Sequence, residues 1–338
     1  MNDKILYILG AGASAQALPL ARSVWGSDTN LPMKNGLAYE LNHVNFDEYL
    51  NGFSPLEFKT FLNNQIDQFK ELSAKADEFG DVDTYAKYLH LTEPGSEKFK
   101  NLKEVLAIYF LLKQKLLNAR DERYLPWLIN IMDNKMFPKN IKILSWNYDF
   151  QVELAALHFG ESEEIEHKGS SFSYSAPKFS YYPNLDPTFS DFNTLSLIHL
   201  NGIAGVGDIN DANAESIFQK KYTEENLLKN FIGDRKMRNR IHFAWENSGY
   251  HDKLMDIVSE MIDGVSILIV IGYSFPFFNR AYDKLIFNKL KSSGGLRKIY
   301  FQDPVLDGQQ LIAQFNLESY TDIIHIQNTK NFHVPFEL

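Results

Sequence analysis

The sequence predicts an α/β fold, a Rossmann-like parallel sheet with helices on both faces and an inserted helical module. Residues 5–9 and 265–271 are uninterrupted apolar runs of strand length, as in central parallel strands that are covered on both faces. A glycine-rich turn follows the first run directly. In the second half of the chain, strand patterns alternate with helix patterns, which is the order that produces a parallel sheet.

The first strand and its turn define the start of the fold. Gly10, Gly12 and Ala15 match the spacing G-x-G-x-x-G/A, in which small residues allow a tight turn and a close approach to a bound group. A helix that begins near Ala13 would direct its first amides at a phosphate, and residues 15–24 are interpreted as a short helix that is interrupted at Pro19. The motif alone is weak, because a turn without a ligand explains it about equally well. Residues 19–35 contain no second strand that ends in an acid, so a dehydrogenase βαβ unit is not predicted.

A helical module is predicted after this turn. Residues 46–135 show helical periodicity, with apolar stripes in 56–69 and 124–132. The clearest stripe consists of Leu102, Val105, Leu106, Tyr109, Leu112 and Leu116. The module therefore interrupts a sheet domain made of residues 1–45 and 136–338.

The remaining elements complete that sheet domain. The predicted strands are residues 141–145, 195–200, 265–271, 298–301 and 322–326. The predicted helices are residues 150–159, 250–262, 279–291 and 307–315. Residues 161–193 are rich in Ser, Tyr, Phe and Pro without periodicity, which predicts loops or short hairpins.

The composition narrows the class of protein. The 338 residues are 44% hydrophobic and 23% charged, without a run of about 20 apolar residues that would cross a membrane. The N-terminus leads directly into a core strand, so we expect a cytoplasmic protein without a signal sequence. The net charge of −9 argues against direct nucleic-acid binding, and the basic run 235–240 is interpreted as a solvated helix face or turn.

The absence of cysteine excludes several chemistries. Without cysteine the chain has no disulfide, no thiol nucleophile and no thiolate zinc site. The nine histidines show no HExxH or comparable ligand spacing. We therefore predict that no metal is bound.

Polar residues cluster where the predicted strands end. Ligands of parallel α/β sheets bind beyond the carboxyl ends of the strands. This rule selects four segments, namely residues 10–14, 145–149 and 199–202, and residues 272–274 with Asn279 and Asp283. The amide of Asn147 can hold a ribose hydroxyl or a water, and the imidazole of His199 can take a proton near neutral pH.

Each of these residues also has an ordinary structural explanation. Asp149 is favoured as a helix N-cap by roughly two to one over a ligand contact. Asn147 suits a turn that satisfies its own backbone, and His199 suits a hydrogen-bonded core position. Considered singly, these explanations are preferred, but the occurrence of the whole set at successive strand ends favours a functional site.

The ordered set of motifs resembles the sirtuin-like superfamily, specifically the zinc-free bacterial branch that consumes NAD in antiphage defence. The motifs are Gly10-Ala11-Gly12-Ala13-Ser14, Trp146-Asn147-Tyr148-Asp149, His199-Leu200-Asn201-Gly202 and Gly272-Tyr273-Ser274-Phe275. The family places a phosphate-binding turn, a catalytic asparagine, a catalytic histidine and a Gly-Tyr-Ser loop in this order. The resemblance spans most of the chain.

The resemblance implies roles for individual residues. Asn147 is expected to orient the nicotinamide ribose and the attacking water, and His199 to act as the second catalytic residue. The expected contacts to NAD are Gly10, Ala11, Gly12, Ser14, Asp149, Asn201, Gly272 and Ser274, with Ser274 at the adenosine ribose.

Two departures from the family pattern keep alternatives open. Asn201 occupies the position where the family has histidine, and His199 lies two residues earlier, on the same face if the strand continues. The family's Gly-Ile-Pro-Asp-Phe-Arg loop is reduced to residues 17–22, which lack the acid and the aromatic residue. These departures leave open a weak or inactive hydrolase, a shifted base or a nucleotide sensor.

The expected function is NAD glycohydrolysis, which yields nicotinamide and ADP-ribose, in an abortive-infection effector that depletes cellular NAD. NAD is then the substrate, and we expect a homo-oligomer, a separately encoded ATPase or helicase subunit, or both. Sirtuin deacylases carry a four-cysteine zinc module that this chain lacks, so a deacylase is less favoured. The remaining alternatives are a non-catalytic subunit that binds NAD or ADP-ribose, and a docking platform in residues 46–135.

Overall fold

A computed structural model describes residues 3–22, 35–132, 137–156, 179–181, 196–204, 241–246, 249–293, 295–317 and 321–338. Most of the predicted loops in 161–193, the helix end beyond residue 156 and the basic run 235–240 lie outside these ranges.

The centre of the fold is a seven-stranded sheet with strand order β3-β4-β2-β1-β5-β6-β7. Every neighbouring pair is parallel. The strands are β1 (Ile5–Leu9), β2 (Ile141–Ser145), β3 (Phe179–Tyr181), β4 (Leu197–His199), β5 (Ile267–Ile271), β6 (Lys298–Gln302) and β7 (Asp322–Ile326). The predicted α/β fold with a Rossmann-like parallel sheet is confirmed.

The strands end level with one another. Leu9 pairs with Ser145 on one side and with Ile271 on the other. Ser145 pairs in turn with His199, and Ile271 with Gln302. The last residues of β1, β2, β4, β5 and β6 therefore form one row, and the segments that follow them emerge at one edge of the sheet.

The strand order also fixes a topological switch point. From β1 the chain continues to β2 on one side, and it later returns to place β5 on the other side of β1. Ligands of doubly wound sheets bind where the strand order reverses in this way. The glycine turn after β1 and the segment after β5 meet at this point.

The helices fall into two groups along the chain. The first group is α1 (Leu37–His43), α2 (Asp47–Asn51), α3 (Leu56–Phe79), α4 (Val82–Thr92) and α5 (Glu97–Leu111). The second group is α6 (Tyr124–Ile131), α7 (Gln151–Ala156), α8 (Gly249–Met261), α9 (Arg280–Ser292) and α10 (Gln310–Phe315).

The chain divides into two compact units. A sheet unit comprises residues 1–13, 122–202 and 244–338, and a helical unit comprises residues 14–121 and 203–243. The predicted domain limits at residues 46 and 135 stay a prediction.

The sheet unit carries helices on both faces. On one face the ring of Tyr7 in β1 meets Trp127 of α6 edge to face, with 5.0 Å between the ring centroids. On the other face Leu6 and Ile8 belong to a buried cluster with Val258 of α8 and Phe287 of α9. Because side chains alternate along a strand, both faces of β1 are apolar and the run Ile5–Leu9 is completely buried.

The helical unit is built around α3. Its buried residues include Phe58, Leu62 and Phe69, which recur on one stripe of the helix. The ring of Phe69 packs edge to face on Tyr109 of α5, at 5.6 Å between centroids. Asp81 begins α4 by accepting a hydrogen bond from the backbone N–H of Thr84 at 2.6 Å.

The helix predicted over residues 15–24 is wrong for residues 15–22, which contain no α-helix. A short 3₁₀ turn, Ala11–Ser14, follows β1 instead. Pro19 lacks an N–H group and disfavours helical geometry in the residue before it. The chain then extends, and Leu20 forms a parallel bridge with Gly36. No α-helix N-terminus is therefore directed at a ligand from this turn.

The other element predictions need smaller corrections. The strand β3 lies inside the residues predicted as loops or short hairpins, but it pairs in parallel with β4 rather than in a hairpin. Its three residues are too few to show alternation. The helix predicted over 56–69 continues to Phe79, where Gly80 ends it in the left-handed conformation. In the described ranges, no helix combines the length and apolar content that crossing a lipid bilayer requires.

Substitution of Gly272 tests the switch point. Its φ is +57°, and a Cβ there would lie 2.4 Å from the backbone of Gly12. Gly264 has a similar φ of +73° but open space around the Cβ position. We expect Gly264→Ala to lower the free energy of unfolding by about 1 to 2 kcal/mol through backbone strain alone. Gly272→Ala should cost about 1 to 3 kcal/mol more, because the two backbones must separate. Equal losses of unfolding free energy in the two variants, measured by urea unfolding, would contradict the close approach of Gly12 and Gly272.

Candidate functional site

Asn147 connects the end of β2 with the glycine turn. Its Nδ2 donates a hydrogen bond to the carbonyl oxygen of Gly10 at 2.9 Å. Its backbone N–H donates to the hydroxyl oxygen of Ser145 at 3.2 Å. The side chain is buried. Two of the predicted site segments, residues 10–14 and 145–149, are thus joined through this amide.

His199 ends β4 and contacts an acceptor at each ring nitrogen. Its Nε2 lies 2.8 Å from Oε1 of Glu153, and its Nδ1 lies 3.2 Å from the backbone oxygen of Asn147. The side chains of His199 and Glu153 are 1% and 0% exposed. Because carboxylate and carbonyl oxygens both accept hydrogen bonds, a doubly protonated imidazolium satisfies the two contacts together.

The pKa of His199 reflects two opposing effects. Burial lowers this pKa, but the negative charge of Glu153 and its hydrogen bond outweigh the burial, and the pKa is raised above 6.5. The carbonyl of Asn147 and the charge of Asp149 act in the same direction as Glu153. The surroundings of His199 therefore favour the protonated ring more than water does.

Glu153 was not predicted as a site residue. It lies in α7, whose residues are all buried. The signal in the sequence was an acid between Val152 and Leu154 in an otherwise apolar helical turn. A buried carboxylate requires a partner, and the identity of that partner depends on how α7 packs on β4.

Asn201 occupies the position at which the resembling family has histidine. Its Nδ2 donates to the backbone oxygen of Trp146 at 3.1 Å. Its Oδ1 is buried and has no hydrogen-bond partner among the residues that the structure describes. An amide cannot act as a base, so Asn201 holds the segment after β2 rather than taking a proton.

The glycine turn packs tightly against the end of β5. A Cβ at Gly10 would lie 2.6 Å from the carbonyl oxygen of Gly272, and a Cβ at Gly12 would lie 2.7 Å from its Cα. The requirement for glycine at both positions therefore has a packing cause. Gly272 also adopts a positive φ of 57°, which favours glycine.

Several amides of the turn bond within the protein. The N–H groups of Gly10 and Gly12 donate to the carbonyls of Ile271 and Gly272 at 3.0 and 2.9 Å, and the N–H of Ala13 donates to Gly10 at 2.9 Å. These three amides do not face a ligand. Ala11 and Gly12 are the partly exposed residues of the turn, whereas Ser14 is buried.

Arg123 holds the other side of the turn and was not predicted. Its Nη2 donates to the carbonyl oxygens of Gly12 at 3.1 Å and Ala13 at 3.0 Å. Its Nη1 donates to the carbonyl oxygen of Thr329 at 3.2 Å, and its guanidinium lies 4.7 Å from the ring centroid of Phe332. One buried guanidinium thus connects the glycine turn, the start of α6 and the C-terminal segment.

The segment after β5 is fixed by a buried hydrogen-bond cluster. The hydroxyl of Tyr273 lies 3.0 Å from each carboxyl oxygen of Asp283 and accepts a hydrogen bond from Nδ2 of Asn279 at 3.0 Å. Burial raises the pKa of Asp283 well above its ordinary value, so the neutral acid is favoured. The ring of Tyr273 stacks on Trp146 at 5.8 Å. The neighbouring Ser274 is exposed.

Asp149 lies one residue before the N-cap position of α7, which Phe150 occupies, because the carbonyl of Phe150 accepts the first helical hydrogen bond from Leu154. The Oδ1 of Asp149 accepts a hydrogen bond from the backbone N–H of Gln151 at 3.1 Å, at the start of α7. Its side chain is buried.

Three of the four predicted segments therefore meet through direct contacts of Asn147, His199 and Gly10, and the fourth packs on the turn through Gly272. In the described part of the chain, no three His, Asp or Glu side chains converge in a way that holds a metal ion. That the protein binds no metal stays a prediction.

Comparison with known proteins adds no family assignment. A scan against protein-family models gives no match, and a search of curated proteins gives none either. The resemblance to sirtuin-like NAD hydrolases thus depends on the four motifs and their order.

Arg123→Met tests the hydrogen bonds by which Arg123 holds the glycine turn. The methionine fills a similar volume but leaves the carbonyls of Gly12, Ala13 and Thr329 without this donor, so we expect a loss of about 2 to 4 kcal/mol in unfolding free energy. The control is Arg297→Met, which removes a half-exposed ion pair with Asp3. It should cost about 1 kcal/mol or less. Similar losses in both variants would mean that Arg123 does not hold the turn.

Proposed function

We propose that this chain is an NAD glycohydrolase that cleaves NAD into nicotinamide and ADP-ribose. The observation that carries the proposal is the junction at Asn147, whose side chain bonds Gly10 and whose backbone contacts His199. These are the residues that the resemblance assigns to the turn, the asparagine and the histidine of an NAD-cleaving site. Their junction at the carboxyl edge of a parallel sheet, beside the switch point, agrees with the general location of nucleotide sites.

The proposed reaction breaks the bond between the nicotinamide nitrogen and C1′ of the ribose. The electron pair of that bond leaves with nicotinamide, which becomes neutral, and positive charge develops on the ribose. The phosphates of NAD and fixed protein dipoles stabilise this charge. Asn147 orients the ribose and a water, whose oxygen attacks C1′, and His199 takes the proton of that water.

The remaining predicted contacts are assigned to the nucleotide. Ala11 and Gly12 approach a phosphate or ribose at the surface of the turn, and Ser274 contacts the adenosine ribose from its exposed position. Gly10, Ser14, Asp149, Asn201 and Gly272 are buried or partly buried supports of these positions. Their contribution to binding is therefore proposed to be indirect.

Uncontrolled hydrolysis of NAD is lethal to a cell, so the proposed enzyme acts as an abortive-infection effector that is inactive until triggered. Control by assembly fits this requirement, either through a homo-oligomer or through a separately encoded ATPase or helicase subunit. The proposed location is the cytoplasm, where NAD is available.

A second function is an NAD- or ADP-ribose-binding subunit without turnover. Two observations favour it, namely the amide of Asn201 at the usual base position and the two engaged ring nitrogens of His199. A protein deacylase is less favoured, because the chain has no cysteine for the zinc module of that class.

Nicotinamide release from NAD by the purified chain tests the proposal. We expect Asn147→Ala to lower turnover by about 10²- to 10⁴-fold, because the ribose and the water lose their positioning group. The control is Asn140→Ala, because Nδ2 of Asn140 bonds the backbone oxygen of Asp3 at the opposite edge of the sheet. It should leave turnover nearly unchanged.

Calorimetry separates the two functions. Binding of ADP-ribose without nicotinamide release would favour the non-catalytic subunit. A chain that neither binds ADP-ribose nor releases nicotinamide would contradict the two proposed functions.

A further inference from the structure

Glu153 is a charged side chain in a completely buried helix. Burial of a carboxylate is costly unless it is paired and hydrogen-bonded. Its Oε1 pairs with His199, whereas its Oε2 is buried with no hydrogen-bond partner among the described residues. Asparagine, glutamine or an apolar residue would avoid this cost at the same place. The presence of a carboxylate here therefore points to a use beyond packing.

The position of the carboxylate defines the roles of the two ring nitrogens. A carboxylate that bonds one nitrogen of histidine holds the neutral ring in one tautomer and leaves the other nitrogen as the proton acceptor. Glu153 bonds Nε2 at 2.8 Å, the shorter of the two contacts. The nitrogen that faces the backbone oxygen of Asn147 is Nδ1.

We propose that Glu153 is a positioning residue that holds His199 through Nε2 and directs proton uptake to Nδ1, beside Asn147. This inference rests on the proposed function, because it assigns the base of that reaction. When the ring is neutral, Nδ1 and the carbonyl oxygen of Asn147 are both acceptors and do not bond each other. In that state Nδ1 takes the proton of the water while the water oxygen bonds C1′ and the nicotinamide bond breaks. The imidazolium then donates from Nδ1 to the carbonyl of Asn147 and from Nε2 to Glu153, which are the two contacts observed. It later returns its proton to solvent.

The pair also implies a defined pH dependence. Glu153 on α7 and Asp149 before α7 are the negative groups that act on His199, and together with the Asn147 carbonyl they raise its pKa. The base is deprotonated only above this raised pKa, so turnover should increase as the pH passes it. Stability changes in the opposite direction. The pair of His199 and Glu153 stabilises the folded state fully below about pH 6.5, which is the pKa of a histidine in the unfolded chain. This stabilisation is lost as the pH rises through the pKa of His199 in the folded protein.

The test compares wild type, Glu153→Gln and Glu153→Asp in two measurements. The first is the pH dependence of kcat/KM for nicotinamide release, and the second is an NMR titration of the His199 ring, assigned with His199→Gln. We expect Glu153→Gln to lower the pKa of His199 by about one pH unit or more. The rise of kcat/KM on the acid side of its pH profile, the acid limb, should shift to lower pH by the same amount. The substitution should also reduce turnover about 10- to 100-fold at pH 8. Glu153→Asp should restore part of both, because it keeps the charge.

Glu260→Gln serves as the control, because it removes the charge of an exposed glutamate on α8. It should shift neither the rate profile nor the His199 titration. If Glu153→Gln does not fold, the comparison of Glu153→Asp with wild type gives the same two readouts with a smaller shift.

The outcomes distinguish this inference from the proposed function. If wild type releases no nicotinamide at any pH, the proposed function fails and the assignment of a base fails with it, whatever the titration shows. If wild type is active but Glu153→Gln leaves both the acid limb and the His199 titration unchanged, Glu153 is only a packing residue and the inference is overturned.

Discussion

The close approach of two backbones at the switch point is the constraint on which the site depends. Gly12 and Gly272 follow the neighbouring strands β1 and β5, and neither position has space for a Cβ. The turn after β1 is thereby fixed against β5, and its carbonyl at Gly10 is presented to Asn147 from β2. The register of the parallel strands then brings His199 to the same edge. Larger side chains at these glycines would separate the segments that form the candidate site.

Two buried charges stabilise this edge. Arg123 donates to the carbonyls at the end of the turn, where partial negative charge accumulates. The carboxylate of Glu153 pairs with His199 beneath the segment that carries Asn147. Both charges depend on fixed acceptors or partners, because an isolated charge in this environment would be too costly. Rigid supports of this kind are what a site requires when its catalytic groups must be held before the substrate binds.

Much of the sheet was predictable from the sequence, because buried parallel strands are uninterrupted apolar runs. Ile5–Leu9 and Ile267–Ile271 show this directly, and the polar residues after them indicated the edge at which Asn147 and His199 meet. The absence of an α-helix in residues 15–22 was not predictable from their small residues, because the bridge of Leu20 to Gly36 decides the local structure. Glu153 and Arg123 were missed because their significance comes from tertiary partners. Which ring nitrogen of His199 faces Asn147 likewise follows only from the packing of α7.

A crystal structure of the chain with ADP-ribose would test the central claim, that the carboxyl edge of this sheet is a nucleotide site. The account predicts ADP-ribose across the ends of β1, β2 and β4, with a ribose hydroxyl within hydrogen-bond distance of Asn147 and a phosphate near Ala11 and Gly12. Binding at another place, or an unoccupied edge at saturating ADP-ribose, would contradict it.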